Sequence, residues 1–307
     1  MHIVSVINYK GGVGKTSLTT NLAAELAWNG KKILLIDLDA QASLTFSLIS
    51  PNEWVENFAD SKTIKQWFDS YDTGNPISLQ SLIHTPTKVK KALNGRGQLD
   101  LISSHLGLIN VDLELATKLG GASLEQAKKN FILIHRRLAN GLASIDDVYD
   151  IILIDCPPNF NIVTKTAIVA SEYILVPARP DYLSTLGIDY LIRSMNRLVK
   201  DYNDYANVGE GHHVDPIDPA VLGVVFSMIQ EYGGGPIQAQ RAYMTQVRQQ
   251  SQLVVYDAYI KRNDSLFANA PENGVPVVLN AYNTGSHQSV VDGLEAVAQE
   301  FSDQIGL

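Results

Sequence analysis

Residues 10–17 read Lys-Gly-Gly-Val-Gly-Lys-Thr-Ser. They lie between an apolar run, Ile3–Ile7, and a stretch in which Leu18, Leu22, Ala23 and Leu26 share one face at helical spacing. Asn29-Gly30 supplies the stop of that helix. No other stretch limits the fold as strongly. A strand that passes through glycines into a helix points successive backbone N–H groups, and the positive end of the helix, at one spot. A phosphate fits that spot.

Apolar runs of strand length recur along the chain: Ile3–Ile7, Ile33–Ile36, Leu99–Ile102, Ile151–Ile154, Tyr173–Val176, Val221–Phe226 and Val277–Leu279. They are β-branched and do not alternate with polar residues, as in strands covered on both faces. Helical patterns between them imply βαβ units. The expected fold class is α/β, a mostly parallel twisted sheet with helices on both faces. The 307 residues, 45% of them hydrophobic, can bury a core of that kind. We expect a single domain over residues 1–307, with a variable insertion or subdomain at about 50–97 and a surface loop at about 200–219. The first stretch holds Trp54, Trp67 and a basic segment from Lys88 to Arg96. The second is rich in Asp, Asn, Gly and Pro and carries His212-His213, which read as solvated. Gly233-Gly234-Gly235-Pro236 marks a further surface loop at 230–237.

In the glycine loop, Lys15 is placed to neutralise the β- and γ-phosphates of a nucleotide, and the Thr16 hydroxyl to ligate Mg²⁺. The loop departs from the usual phosphate-loop pattern because Lys10 precedes it and Gly12 follows its first glycine. This Lys-Gly-Gly-x-Gly-Lys-[Ser/Thr] form is the deviant Walker A motif, and the chain resembles the ParA/MinD family of ATPases. The resemblance extends to Ile33–Ser43, which looks like the family's second strand ending Asp-x-Asp-Pro-Gln-Gly, with Ala40 and Ala42 in place of Pro and Gly. It includes Tyr149–Pro158, which looks like the Walker B strand, and Tyr259–Asn263 with Gly274–Val277, which look like the last nucleotide-side segment. It is weakest at 50–97 and 200–250, and is nearest to the short ParA proteins that lack an N-terminal helix-turn-helix domain.

Asp155 ends a run of buried aliphatics, where a carboxylate is costly unless it is paired or near a metal. It reads as the Walker B aspartate that holds Mg²⁺. Asp37 and Asp39, two apart at the end of the second strand, project from one side if the chain stays extended. The resemblance implies that Asp39 orients the attacking water and that Asp37 supports the metal shell or the loop. It implies a nucleotide held by Lys10, Gly11, Gly12, Val13, Gly14, Lys15, Thr16 and Ser17, with Asn263 at adenine, although Lys261 stands where the family has a proline. It also implies that Lys10 reaches across a dimer to the partner's phosphates, acting as a finger on charge that develops in the transferred group.

For short ParA proteins the resemblance implies a cytoplasmic, ATP-closed sandwich homodimer that binds nonspecific DNA until a ParB-like partner stimulates hydrolysis. The net charge of −8 works against nucleic acid overall, so DNA contact needs a local basic patch. Arg262 aligns with a family DNA-binding arginine, and Lys261, Arg241, Arg248 and Lys88–Arg96 could extend the patch. A single cysteine, Cys156, excludes a disulfide framework and the cluster of a nitrogenase-type iron protein, and fits a cytosolic chain. It reads as a small buried filler. No signal peptide is expected before the first strand, and no apolar run reaches the ~20 residues that span a bilayer. A MinD-like membrane ATPase would end in a basic amphipathic helix. Residues 293–307 contain Glu295, Glu300 and Asp303 but no Lys or Arg, and Leu294, Val297, Ala298 and Phe301 look core-facing. A tyrosine-rich kinase tail is missing as well. The remaining enzyme alternative is a metabolic P-loop ligase that would use Lys10 within its own subunit.

Overall fold

The computed structural model describes residues 1–145, 148–206, 214–250, 253–280 and 285–307. The first six apolar runs form strands of one sheet: β1 (His2–Val6), β2 (Lys32–Asp37), β3 (Gln98–Ile102), β4 (Ile151–Asp155), β5 (Tyr173–Ala178) and β6 (Ala220–Phe226). Their order is β3-β2-β4-β1-β5-β6, and every neighbouring pair is parallel. Parallel strands need long crossovers, which the helices provide. They are α1 (Lys15–Trp28), α2 (Ser43–Leu48), α3 (Pro51–Asn57), α4 (Ile64–Ser70), α5 (Thr87–Leu93), α6 (Leu108–Lys118), α7 (Leu124–His135), α8 (Arg137–Leu142), α9 (Ile162–Ala170), α10 (Tyr182–Tyr205), α11 (Gln238–Gln250), α12 (Asp264–Asn273) and α13 (Gly285–Ile305).

Alternate residues of each strand feed two cores. Ile152 and Ile154 of β4 join one face, packed by α4, α6, α9 and α10; Ile151 and Leu153 join the other, packed by α1, α5 and α13. That is why the runs read as continuous apolar segments. Helix α1 is buried nearly all round, from Leu18 to Ala27, because the sheet, α2, α5 and α13 surround it. Leu294, Val297, Ala298 and Phe301 of α13 are buried in this second core. Segment 50–97 feeds both cores: Trp67 and Phe68 enter the first, Val89 and Leu93 the second. Among the described residues, no helix is long and apolar enough to cross a membrane.

Three expectations are corrected. Val277–Leu279 is a 3₁₀ turn rather than a strand. Pro276 and Asn280 bound a run of only three residues, and its apolar character serves burial of Val277 and Val278, not strand pairing. Residues 230–237 contain a hairpin rather than a plain loop: β7 (Glu231–Tyr232) and β8 (Gly235–Pro236) pair across Gly233 and Gly234, whose φ values are 63° and 85°. Residues 200–205 belong to α10, so the loop expected at about 200–219 begins later; 207–213, with His212-His213, lie outside the described residues.

Beside β6, residues 254–262 run parallel as a broken edge. The Val224 N–H donates to the Val254 carbonyl at 2.9 Å and the Ile260 N–H to the Phe226 carbonyl at 2.9 Å. Gly223 allows this approach, since a Cβ there would stand 2.7 Å from the Val254 carbonyl oxygen. The carboxyl ends of β1, β2 and β4 meet at the glycine loop, with Asp37 and Asp155 directly opposite each other in register.

Candidate nucleotide site

Gly12 and Gly14 take φ values of 69° and 79°, a conformation that favours glycine, and so curl the loop at the end of β1 into α1. Gly14 is the N-cap of α1 and offers no side-chain cap, which leaves the first-turn N–H groups for a ligand. Behind the loop, the Ser227 hydroxyl donates to the Val13 carbonyl at 2.7 Å. This brace comes from the end of β6, 214 residues away, and no local pattern announces it.

Lys15 is only 7% exposed, and its ammonium donates to the Lys10 carbonyl at 3.2 Å. Burial lowers its pKa, and the charges of Asp155 and Asp39 oppose that shift. The Thr16 hydroxyl donates to Asp155 Oδ2 at 2.7 Å. Burial, the largest cause, raises Asp155 to about 7. Asp37 is raised to about 8 by burial and then by the charge of Asp155. Two adjacent buried carboxylates with a hydroxyl beside them suit a hard divalent cation. Among the described residues, no group of three or more His, Cys, Asp or Glu could hold a metal ion. Such a cation would have Thr16 and Asp155 beside it and would need water and phosphate to complete its shell.

The two aspartates after β2 differ in surroundings. Asp37 is fully buried, accepting from the Asp39 N–H at 3.1 Å and from the Thr45 N–H and hydroxyl at 2.8 and 2.7 Å. It thereby fixes the turn into α2. Asp39 lines the open cleft and caps that turn by accepting from the Gln41 N–H at 3.0 Å. Ala42, where the resemblance has glycine, takes φ 53°, so the left-handed turn persists without one.

Lys10 does not line the cleft. Its ammonium donates to both oxygens of Asp181, at 2.7 and 2.8 Å, and Asp181 also caps α10. The Lys10 N–H donates to Asn8 Oδ1 at 2.8 Å, and Asn8 is anchored by donating to the Pro177 carbonyl. Sequence reading singled out neither Asn8 nor Asp181; the latter contact spans 171 residues.

The cleft encloses about 400 Å³. Its lining includes the glycine loop, Lys15 and Thr16, and the apolar side chains of Met228, Phe267, Pro271 and Val277. Asn263 caps α12, accepting from the Leu266 N–H at 3.1 Å, and lines an adjoining recess that shares Gly14, Ser17, Met228 and Phe267 with the cleft. Lys261 and Arg262 sit at the hairpin groove, each against a carboxylate: Lys261 on Glu231 at 2.9 Å, Arg262 on Asp264 at 2.7 Å.

A family model described as an AAA domain matches residues 1–208. The sporulation initiation inhibitor protein Soj of Bacillus subtilis is 26% identical over 277 residues, covering 90% of each chain. The chromosome partitioning protein ParA of Caulobacter vibrioides is 27% identical over 281 residues, covering 91% of this chain and 87% of that one. Among solved structures, an aspartate-to-alanine variant of Cyanothece McdA in complex with ATP superposes with a TM-score of 0.69 at 18% identity, covering 100% of this chain and 97% of that one.

Proposed function

The chain belongs to the AAA-domain family of ParA/MinD-like P-loop NTPases, and from that premise we propose that it is a slow ATPase that positions a cargo. In this reading it closes as a homodimer around ATP and Mg²⁺, binds nonspecific DNA in that state, and is released when a ParB-like partner stimulates hydrolysis. The carrying observation is the separation of two lysines that flank one loop. Lys15 is buried among Asp155, Asp39 and the loop. Lys10 is held outside the cleft on Asp181. A lysine set apart from its own phosphate cradle suits a phosphate carried by a second subunit.

The same reading assigns the residue roles. The N–H groups of residues 11–17 and the Lys15 ammonium bind the phosphates. Thr16 and Asp155 would hold Mg²⁺, with Asp37 behind them, and the ion would add positive charge at the phosphate oxygens. Asp39, open to the cleft, takes a hydrogen bond from the attacking water. Lys10 of one subunit steadies charge developing at the other's site.

The test is turnover. Slow hydrolysis raised by DNA or by a partner encoded nearby is expected; fast, partner-free turnover on a small carboxylic acid would overturn the reading in favour of a ligase. A second reading, a positioning ATPase that does not use DNA, is favoured by the carboxylates already seated on Lys261 and Arg262. Gel-shift of a random duplex at low salt, with and without ATP, separates the two.

A further inference from the structure

The phosphate loop and much of the apolar lining of the cleft come from opposite ends of the chain. One buried side chain joins them. Asn21 is 3% exposed and lies on α1, one turn after Ser17. Its amide nitrogen donates to the Ser17 carbonyl at 2.8 Å. Its Oδ1 accepts from the Val278 N–H at 3.0 Å, a contact spanning 257 residues. Both ends of the carboxamide are used, so its plane is fixed. Val278 lies in the 3₁₀ turn Val277–Leu279, whose early N–H groups have no partner within the turn itself. Asn21 supplies the acceptor that a neighbouring strand would otherwise give.

The same turn forms part of the apolar wall. Val277 lines the cleft, as do Pro276 and Asn21. Phe267 and Pro271 of α12 line the same cleft. Apolar side chains beside a phosphate-binding loop offer a surface on which a planar ring can rest. We infer that Asn21 is a positioning residue for nucleotide-base recognition: it sets the spacing between the phosphate loop and the wall against which a purine base rests. The inference rests on the nucleotide reading above and adds to it a residue whose effect depends on the base.

The experiment is calorimetric titration of the magnesium complexes of ADP and of tripolyphosphate, which carries no base. Three proteins are compared: wild type, Asn21→Leu and Asn21→Asp. Leucine keeps the branching at Cγ but orphans the Val278 N–H; aspartate keeps an acceptor for it. Losing a buried hydrogen bond of this type corresponds to roughly tenfold in affinity. Asn21→Leu should therefore weaken ADP by about tenfold and leave tripolyphosphate within about twofold. Relative to tripolyphosphate, Asn21→Asp should recover most of the ADP affinity, since the loss from its added charge and its missing donor to Ser17 falls on both ligands. If the leucine variant does not fold, Asn21→Ser, too short to reach Val278, takes its place with the same expectation. Equal weakening of both ligands, or no change in either, would overturn the positioning role while the nucleotide site stands. If wild type binds tripolyphosphate as tightly as ADP, the base wall itself fails, and the role of Asn21 fails with it.

Discussion

Asp155→Asn separates the cost of a buried carboxylate from its use. Asp155 is 1% exposed, and burial raises it from an ordinary 3.8 to about 7. Because the folded value exceeds the unfolded one, the folded chain holds the proton more tightly. The stability this contributes is complete below about pH 4 and is lost as pH rises to about 7. Integrated from pH 5 to pH 8, the loss is at most ~3 kcal/mol. Asparagine has the same shape and does not titrate. The raised value of Asp155 already includes the charge of Lys15 and the Thr16 hydrogen bond, both of which favour the carboxylate, so neither is subtracted again. The stability of the variant relative to wild type should thus rise by up to ~3 kcal/mol between pH 5 and pH 8. Urea unfolding of nucleotide-free protein in chelator reads this directly. A gap that does not change with pH would refute the reasoning. Hydrolysis should be lost at either pH.

Lys10→Ala should abolish hydrolysis yet keep ADP affinity within about twofold, since Lys10 lies outside the cleft; calorimetry and phosphate release check both halves. Asp39→Ala should trap an ATP-bound dimer visible by gel filtration, and failure to bind ATP would refute its water-orienting role. Arg262→Glu should weaken duplex binding and flatten its dependence on salt, because fewer counterions are released; an unchanged slope removes Arg262 from the surface. His135 is fully buried, and burial lowers it to about 4. Its stabilising effect is therefore complete above pH ~6.5 and lost as pH falls toward 4, by up to ~3 kcal/mol. His135→Leu should flatten the acid side of the stability profile measured by urea unfolding, and an unchanged acid side would contradict the buried-neutral assignment.

The strands were legible because each of β1–β6 is an apolar run long enough to cross the sheet. Val277–Leu279 was misread because a buried turn and a buried strand look alike over three residues. The phosphate loop was legible because its chemistry is contiguous in sequence. Its supports were not: Asn8, Asn21, Asp181 and Ser227 act through partners 169 to 257 residues away, and the fold alone brings them together. The surroundings of Lys261 and Arg262 were half legible. Asp264 is two residues from Arg262, whereas Glu231 reaches Lys261 because Ile229, two residues before it, pairs with Lys261 at the edge of the sheet.

The central claim is that Lys10 serves a phosphate on a second subunit. Mixing tests it. Lys10→Ala lacks the finger but keeps its own Asp39; Asp39→Ala keeps the finger but cannot orient water. Neither should hydrolyse ATP alone. Combined in equal amounts before ATP is added, random pairing makes about half of the dimers mixed, each with one complete site. The account predicts recovery to roughly a quarter of the wild-type rate. No recovery at any mixing ratio, with mixed dimers demonstrated, would show that Lys10 acts within its own subunit and contradict the account.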